Sequence, residues 1–358
     1  MSENFHPALL PQAALYGLGV RLRNLFYDCG WKKSRTHNIP IICIGNLAVG
    51  GTGKTPHTEM LIRLLTSASY NVAVLSRGYK RQTQGFVLAD ADSTARDIGD
   101  EPFQMYLKFP EVRVAVCADR NEGVERLMAL THPQVDVILL DDAFQHRRIK
   151  AGLNILLTEY HRLYTDDWLL PVGRLREPAE GALRAHIIVV TKCPAKVLPM
   201  ERRILLKKLH PRPYQKSYMT TFRYGELYPL FVPDASLPQQ PEVLLLTGIA
   251  RPQPLAEYIG KKARRVVSVN FPDHHAFTAD DVEAIRKKYL SLPPERRILV
   301  TTEKDAARLR LVDGLSEEMR THIWVQPVDV ELMNGRSSEF NYKILDYVRR
   351  NKRNGAVD

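Results

Sequence analysis

The chain reads as an α/β protein: a parallel sheet with helices on both faces, followed by a smaller α/β unit. Three observations carry this. First, short apolar runs at 41–44, 72–76, 112–117, 135–140, 154–158 and 187–191 alternate with helical stretches such as 123–130. Strands that are apolar throughout bury both faces, as in a parallel sheet under two helical layers. Second, the first run ends in the glycine loop Gly50-Gly51-Thr52-Gly53-Lys54-Thr55, and residues 57–67 after it have helical spacing at Met60, Leu61, Leu64 and Leu65. Strand, glycine loop, Lys-Thr and helix is the layout of a phosphate loop, so the fold class is phosphate-loop NTPase-like. Third, a second alternating region with runs at 243–246, 266–269, 298–300 and 323–327 follows two runs at 218–223 and 227–232 that flank Gly225. Those two runs read as a β-hairpin linker between the units.

A length of 358 residues suits two domains. The expected division is an N-terminal amphipathic region at 1–36, a phosphate-loop domain at 37–215, a two-stranded linker at 216–233 and a smaller α/β domain at 234–358. The formal net charge of +11 favours anionic partners without choosing among them. Cys29, Cys43, Cys117 and Cys193 are far apart and form no metal spacing, so free thiols in a reducing compartment are expected. No apolar run reaches the roughly 18 residues that a transmembrane helix needs, and the N-terminus shows no secretion signal.

Residues 9–27 open the chain. Positions 9–20 carry no charge, and Pro11 suits a helix start. Leu15, Leu18, Leu22, Leu25 and Phe26 fall near one face, with Arg21, Arg23, Lys32, Lys33 and Arg35 close behind. Such a helix can lie in a membrane interface or pack on its own domain.

In the phosphate loop, Gly50, Gly51, Thr52 and Gly53 let backbone N–H groups turn toward phosphate oxygens, and the helix N-terminus adds partial positive charge. Lys54 reaches the β- and γ-phosphates, and the Thr55 hydroxyl can ligate Mg²⁺. Ala48 stands where the full pattern has glycine. Val49 argues against the dimeric ATPases that carry a signature lysine there. Downstream, the run at 135–140 ends in Asp141-Asp142-Ala143-Phe144-Gln145-His146, the Mg²⁺-associated position in such proteins. Ser76-Arg77-Gly78-Tyr79 ends the run at 72–76, and Gly99-Asp100-Glu101-Pro102 opens a helix. Leu175-Arg176-Glu177-Pro178 lies in a loop whose arginines can grip phosphate. Asp273-His274-His275 fits a metal site, an Asp–His pair for proton handling, or a helix cap before Thr278.

Taken in order, these pieces resemble one family. They run from Gly45-Asn46 through Pro56, and on through Arg77-Gly78-Tyr79, Gly99-Asp100-Glu101-Pro102, Asp141-Asp142-Ala143-Phe144-Gln145-His146, Arg176-Glu177-Pro178, Gly248-Ile249-Ala250, Asp273-His274 and Thr302-Glu303-Lys304-Asp305. The family is the tetraacyldisaccharide 4′-kinases of lipid A biosynthesis. The chain departs at Ala143, where the family usually has glycine.

The resemblance implies transfer of the γ-phosphoryl of ATP, with Mg²⁺, to the 4′-hydroxyl of an acylated glucosamine disaccharide phosphate. It implies peripheral association with the cytoplasmic face of the bacterial inner membrane, and it favours the membrane reading of residues 9–27. By the same resemblance Asp100 is the general base and His274 its partner. Lys54 and Thr55 hold phosphates and Mg²⁺, and Asp141, Asp142 and Glu177 line the metal and the reacting centre. A sugar hydroxyl is a poor nucleophile, so a carboxylate that takes its proton is consistent chemistry. The alternative class is a phosphate-loop GTPase or ATPase switch for metal delivery or protein targeting. Thr191 and Pro194 replace the Asn and Asp of a guanine-reading motif, which weakens it. A nucleic-acid partner is suggested only by charge, lacks any recognition motif and is not expected.

Overall fold

The computed structural model describes residues 7–273, 275 and 277–352. Among them the chain forms fourteen strands. These are β1 (Ile41–Asn46), β2 (Val72–Ser76), β3 (Val87–Leu88), β4 (Arg113–Val116), β5 (Val137–Asp141), β6 (Leu153–Glu159), β7 (Ile187–Thr191), β8 (Lys216–Tyr224), β9 (Tyr228–Pro229), β10 (Glu242–Thr247), β11 (Arg265–Asn270), β12 (Arg297–Thr302), β13 (Ile323–Gln326) and β14 (Val328–Leu332). One sheet has nine strands in the order β14-β8-β7-β6-β1-β5-β2-β4-β3, and the other has five in the order β11-β10-β12-β13-β9.

Strands β1, β2 and β4 to β8 run parallel, and β3 and β14 are antiparallel edges. Successive residues along β1 feed opposite cores. Ile41 and Cys43 join Ile138, Leu140, Leu156 and Val190, while Ile42 and Ile44 join Val74, Leu139, Ile155 and Val189. Both faces are therefore dry, which is why these runs are apolar throughout instead of alternating. On one face Leu61, Ile62 and Leu65 of the helix Lys54–Ser67 share their cluster with Phe340, Ile344 and Val348 of the helix Ser337–Arg350. The second sheet is built the same way. Leu244, Leu299 and Val325 lie in one cluster, and Val243, Ile298 and Trp324 in the other.

Two expectations are corrected here. The runs around Gly225 do not form a hairpin. β8 pairs with β7 and β14, whereas β9 pairs with β13 in the other sheet. The link is two-stranded, but its second strand is β14, which lies about a hundred residues further along the chain. The smaller unit also does not run to the end of the chain. β14 and the closing helix return to the first sheet, because Phe340, Ile344 and Val348 complete its core.

The helix Leu10–Asp28 is attached differently. Its buried residues are Ala13 and Gly17, and polar bonds hold it: Tyr16 Oη donates to the Arg176 carbonyl at 2.7 Å and Arg23 Nη2 to the Gln145 carbonyl at 2.7 Å. Leu15, Leu18, Leu22 and Leu25 stay exposed. Among the described residues no helix is long and apolar enough to cross a membrane.

Candidate active site

The carboxyl ends of β1 and β5 are neighbours, with Ile44 beside Asp141 in register. The chain crosses from one side of β1 to the other as it builds β5 and β6, and ligands of open α/β sheets collect in the crevice such a crossing leaves. The phosphate loop fills it. Gly50 and Gly53 hold φ values of 109° and 87°, which side-chain-bearing residues rarely adopt. Helix Lys54–Ser67 starts at once after Gly53, so its first-turn N–H groups have no partner within the helix. Ala48 is tolerated because the loop is extended there. Val49 donates to the Arg174 carbonyl at 2.8 Å and Arg176 to the Leu47 carbonyl at 2.7 Å, zipping the loop to residues 174–176.

Polar contacts stiffen the loop from behind. His57 Nδ1 bonds the Gly53 carbonyl at 2.7 Å, and its Nε2 lies 2.9 Å from Thr220 Oγ1 on β8. A carbonyl only accepts, so Nδ1 carries the proton and Nε2 accepts from the threonine. Burial lowers the pKa of His57 to about 4, which keeps the ring neutral near pH 7. Thr191 Oγ1 donates to the Thr52 carbonyl at 2.8 Å, and Lys192 bonds both Glu159, at 2.6 Å, and the Gly51 carbonyl.

Lys54 Nζ lies 3.6 Å from Asp142 Oδ2, and Arg176 Nη1 lies 3.3 Å from the same oxygen. Asp142 takes the left-handed turn itself, at φ 47°, so Ala143 can keep its Cβ, and that Cβ is buried. Asp141 is completely buried and accepts from Thr58 Oγ1 at 3.2 Å. Burial raises its pKa, and the nearby Glu101 and Asp142 carboxylates raise it further against the opposing Lys54 and Arg120. Arg120, itself buried, sits behind with Nη2 3.5 Å from the Asp141 carbonyl.

This donor set fits Mg²⁺. Among the described residues no three His, Cys, Asp or Glu side chains form a metal cage. Mg²⁺ with a nucleotide needs none, since one or two carboxylates and the phosphates suffice. Asp141, at the strand end beside the loop, concentrates negative charge that a divalent cation relieves. Thr55 is half-buried in the first turn of the loop helix. Glu177 is engaged elsewhere: it accepts from Arg184 at 2.7 Å, Gln145 at 3.2 Å and Asn24 at 3.3 Å.

Asp100 starts the helix Asp100–Lys108. Gly99 precedes it at φ 92°, and a Cβ there would meet the Tyr79 carbonyl at 3.0 Å, so the 77–79 turn packs onto the start of this helix. Asp100 Oδ2 accepts from Arg308 Nε at 2.9 Å, and Glu101 pairs with Lys304 at 3.2 Å. Both cations come from the helix Glu303–Leu309 beyond β12 of the second sheet. His274 lies outside the described residues. Its neighbour His275 pairs with Asp281 at 2.8 Å.

Sequence reading did not single out Arg308, His57 or Arg120, and it met Lys192 only in the weak guanine-reading match. Two of them left a signal. Arg308 lies one helical turn after Lys304, on the same face, and His57 one turn after Gly53.

A glycine loop that presents a lysine and an aspartate pair at the sheet's carboxyl edge makes the chain an ATP-dependent phosphotransferase of the phosphate-loop class. Comparison with known proteins narrows this. The chain belongs to the tetraacyldisaccharide-1-P 4′-kinase family, whose model matches residues 5–349. It is 50% identical to the tetraacyldisaccharide 4′-kinase of a Bacteroides fragilis strain over 369 aligned positions, covering 100% of this chain and 98% of that protein. It is 42% identical to the Porphyromonas gingivalis protein of the same name, covering 96% and 98%. The structure matches LpxK from Aquifex aeolicus in complex with ATP at a TM-score of 0.71 and 28% identity, covering 95% of this chain and 98% of that one. The family membership decides for the lipid A kinase and against the GTPase switch.

Proposed function

We propose that this enzyme transfers the γ-phosphoryl of ATP to the 4′-hydroxyl of an acylated glucosamine disaccharide 1-phosphate, at the cytoplasmic face of the inner membrane. The observation that carries this is the meeting of Lys54, Asp141 and Asp142 at one sheet edge, within the electrostatic reach of Glu101, the residue next to Asp100. Gly50 to Gly53 would wrap the phosphates, and Thr55 with Asp141 would hold Mg²⁺. Bound there, the metal supplies charge neutralisation on the phosphates. Lys54 stabilises charge on the transferring group, and Asp142 with Arg176 sets where its ammonium stands. Asp100 accepts the hydroxyl proton. Glu177 supports the centre through Arg184 and Gln145. The exposed leucines of the N-terminal helix would enter the bilayer interface, and its polar contacts would hold the site against the membrane. We read the domains as two sheet-based units: 37–224 with 328–350, and 228–326 between them.

The test is incubation with labelled ATP and a tetraacylated disaccharide 1-phosphate, followed by product mass and phosphate position. A phosphate at the 4′-hydroxyl is expected, and Asp100→Asn should lower kcat by about 10²–10⁴-fold with ATP affinity nearly unchanged. ATP turnover without a phosphorylated lipid product overturns the reading.

A further inference from the structure

The helices Asp100–Lys108 and Glu303–Leu309 are joined by three ion pairs of ordered sign. Arg308 holds Asp100 at 2.9 Å, Lys304 holds Glu101 at 3.2 Å, and Glu303 accepts Lys108 at 2.5 Å. Between them Ala307 packs into one cluster with Ile98 and Phe103. The second unit therefore grips both ends of the helix that carries Asp100.

Arg308 differs from the other two cations. It is 7% exposed, and its Nε and Nη1 are both committed. Nη1 lies 3.2 Å from Asp305 Oδ1 and 3.3 Å from the His275 carbonyl, while Nη2 lies 4.0 Å from Asp273. Asp305 is itself held on its other oxygen. It is fully buried and accepts from the Gly248 N–H at 2.9 Å and the Thr302 hydroxyl at 2.7 Å. A planar guanidinium pinned at Nη1 presents Nε in one direction only. The carboxylate it meets there is selected into one rotamer. The same guanidinium also holds the His275 carbonyl.

We propose that Arg308 is a positioning residue for phosphoryl transfer: it fixes the carboxylate of Asp100 while its Nη1 is anchored on the His275 carbonyl. This rests on the reading of Asp100 as the proton acceptor. The physical content is orientation. The base reacts only when its oxygen meets the hydroxyl at hydrogen-bond distance, and a misplacement of about 1 Å costs roughly 10²-fold. Arg308 supplies that orientation from the second unit, 208 residues along the chain.

The experiment is a double-mutant cycle on the full chain, with the labelled-ATP assay, nucleotide binding and thermal melting on each variant. Arg308→Gln should lower kcat by about 10²-fold with the KM for ATP within about twofold. Arg308→Lys, which keeps the cation and loses the fork, should recover about tenfold of that loss. In an Asp100→Asn background, Arg308→Gln should add less than about threefold, since the group it orients is gone. If Arg308→Gln does not fold, the cycle is read with Arg308→Lys, whose small loss should likewise vanish beside Asp100→Asn. Full multiplication of the two losses, or a normal kcat in Arg308→Gln, overturns the proposal while leaving the base in place. Near-normal kcat in Asp100→Asn overturns the base and the positioning role together.

Discussion

The loop lysine and the strand-end aspartate face each other: Lys54 Nζ stands 3.6 Å from Asp142 Oδ2. Arg176 shares that carboxylate at 3.3 Å, so the lysine can swing to a phosphate without stranding Asp142. Lys54→Ala should therefore cost catalysis and spare the fold. The expected loss in kcat is at least about 10²–10³-fold, with stability changed by under about 1 kcal/mol. Single-turnover transfer from labelled ATP and a urea melt measure the two separately. A folded variant with wild-type turnover would remove Lys54 from the chemistry.

Lys108 lies between two buried carboxylates, Glu59 at 2.6 Å and Glu303 at 2.5 Å. Burial raises the pKa of Glu59, Lys108 opposes the rise and Glu303 adds to it. Lys108→Met removes the cation the two carboxylates share, leaving Glu59 with Arg63 at 3.7 Å and Gln104 at 2.7 Å, and should destabilise the protein by about 3 kcal/mol. A raised carboxylate pKa means the folded state holds the proton more tightly than the unfolded state. Stability then falls as pH rises out of the carboxylate range, so the loss should be larger at pH 8 than at pH 5. Urea midpoints at the two pH values check this, and equal losses would contradict it.

The pKa of His57 is depressed from 6.5 to about 4, so the folded state disfavours the protonated ring. The unfolded chain binds the proton first as pH falls. His57 therefore contributes stability that is complete above about pH 6.5 and is lost progressively toward pH 4, amounting to about 3 kcal/mol. His57→Asn keeps a donor for the Gly53 carbonyl and cannot titrate. Its stability should be flatter with pH over that interval than the wild type's, and parallel curves would rule out His57 as the source.

The N-terminal helix turns leucines outward and is tethered by polar bonds. Leu18→Glu with Leu22→Glu should abolish co-sedimentation with anionic vesicles while ATP binding in solution stays unchanged. Undiminished vesicle binding would assign the helix to another partner.

Features contained in contiguous residues were legible before the structure. The glycine loop, the aspartate pair and most of the core strands could be named because each depends on local backbone geometry or on a buried run of fixed period. Gly99-Asp100-Glu101-Pro102 was readable as a helix start for the same reason. The chemistry that resemblance assigned to Asp100 and His274 has no local signature, and His274 lies outside the described residues.

The amino-acid sequence by itself determined the class of protein: the order of strands and helices, the phosphate loop and the family to which the chain belongs. Tertiary structure decided the partners. Periodicity says which face of a strand is dry but not which strand lies beside it, so β8 lies between β7 and β14 and not beside β9. Charge says that Arg308 needs an anion but not which one, and only packing of the second sheet against the first brings it to Asp100. Glu177 shows the same limit from the other side. Its residue type suits a metal, but that it also accepts from Arg184, Gln145 and Asn24 was decided by folding. Long-range pairs are set by the sum of many contacts across the core, and no short stretch of sequence contains that sum.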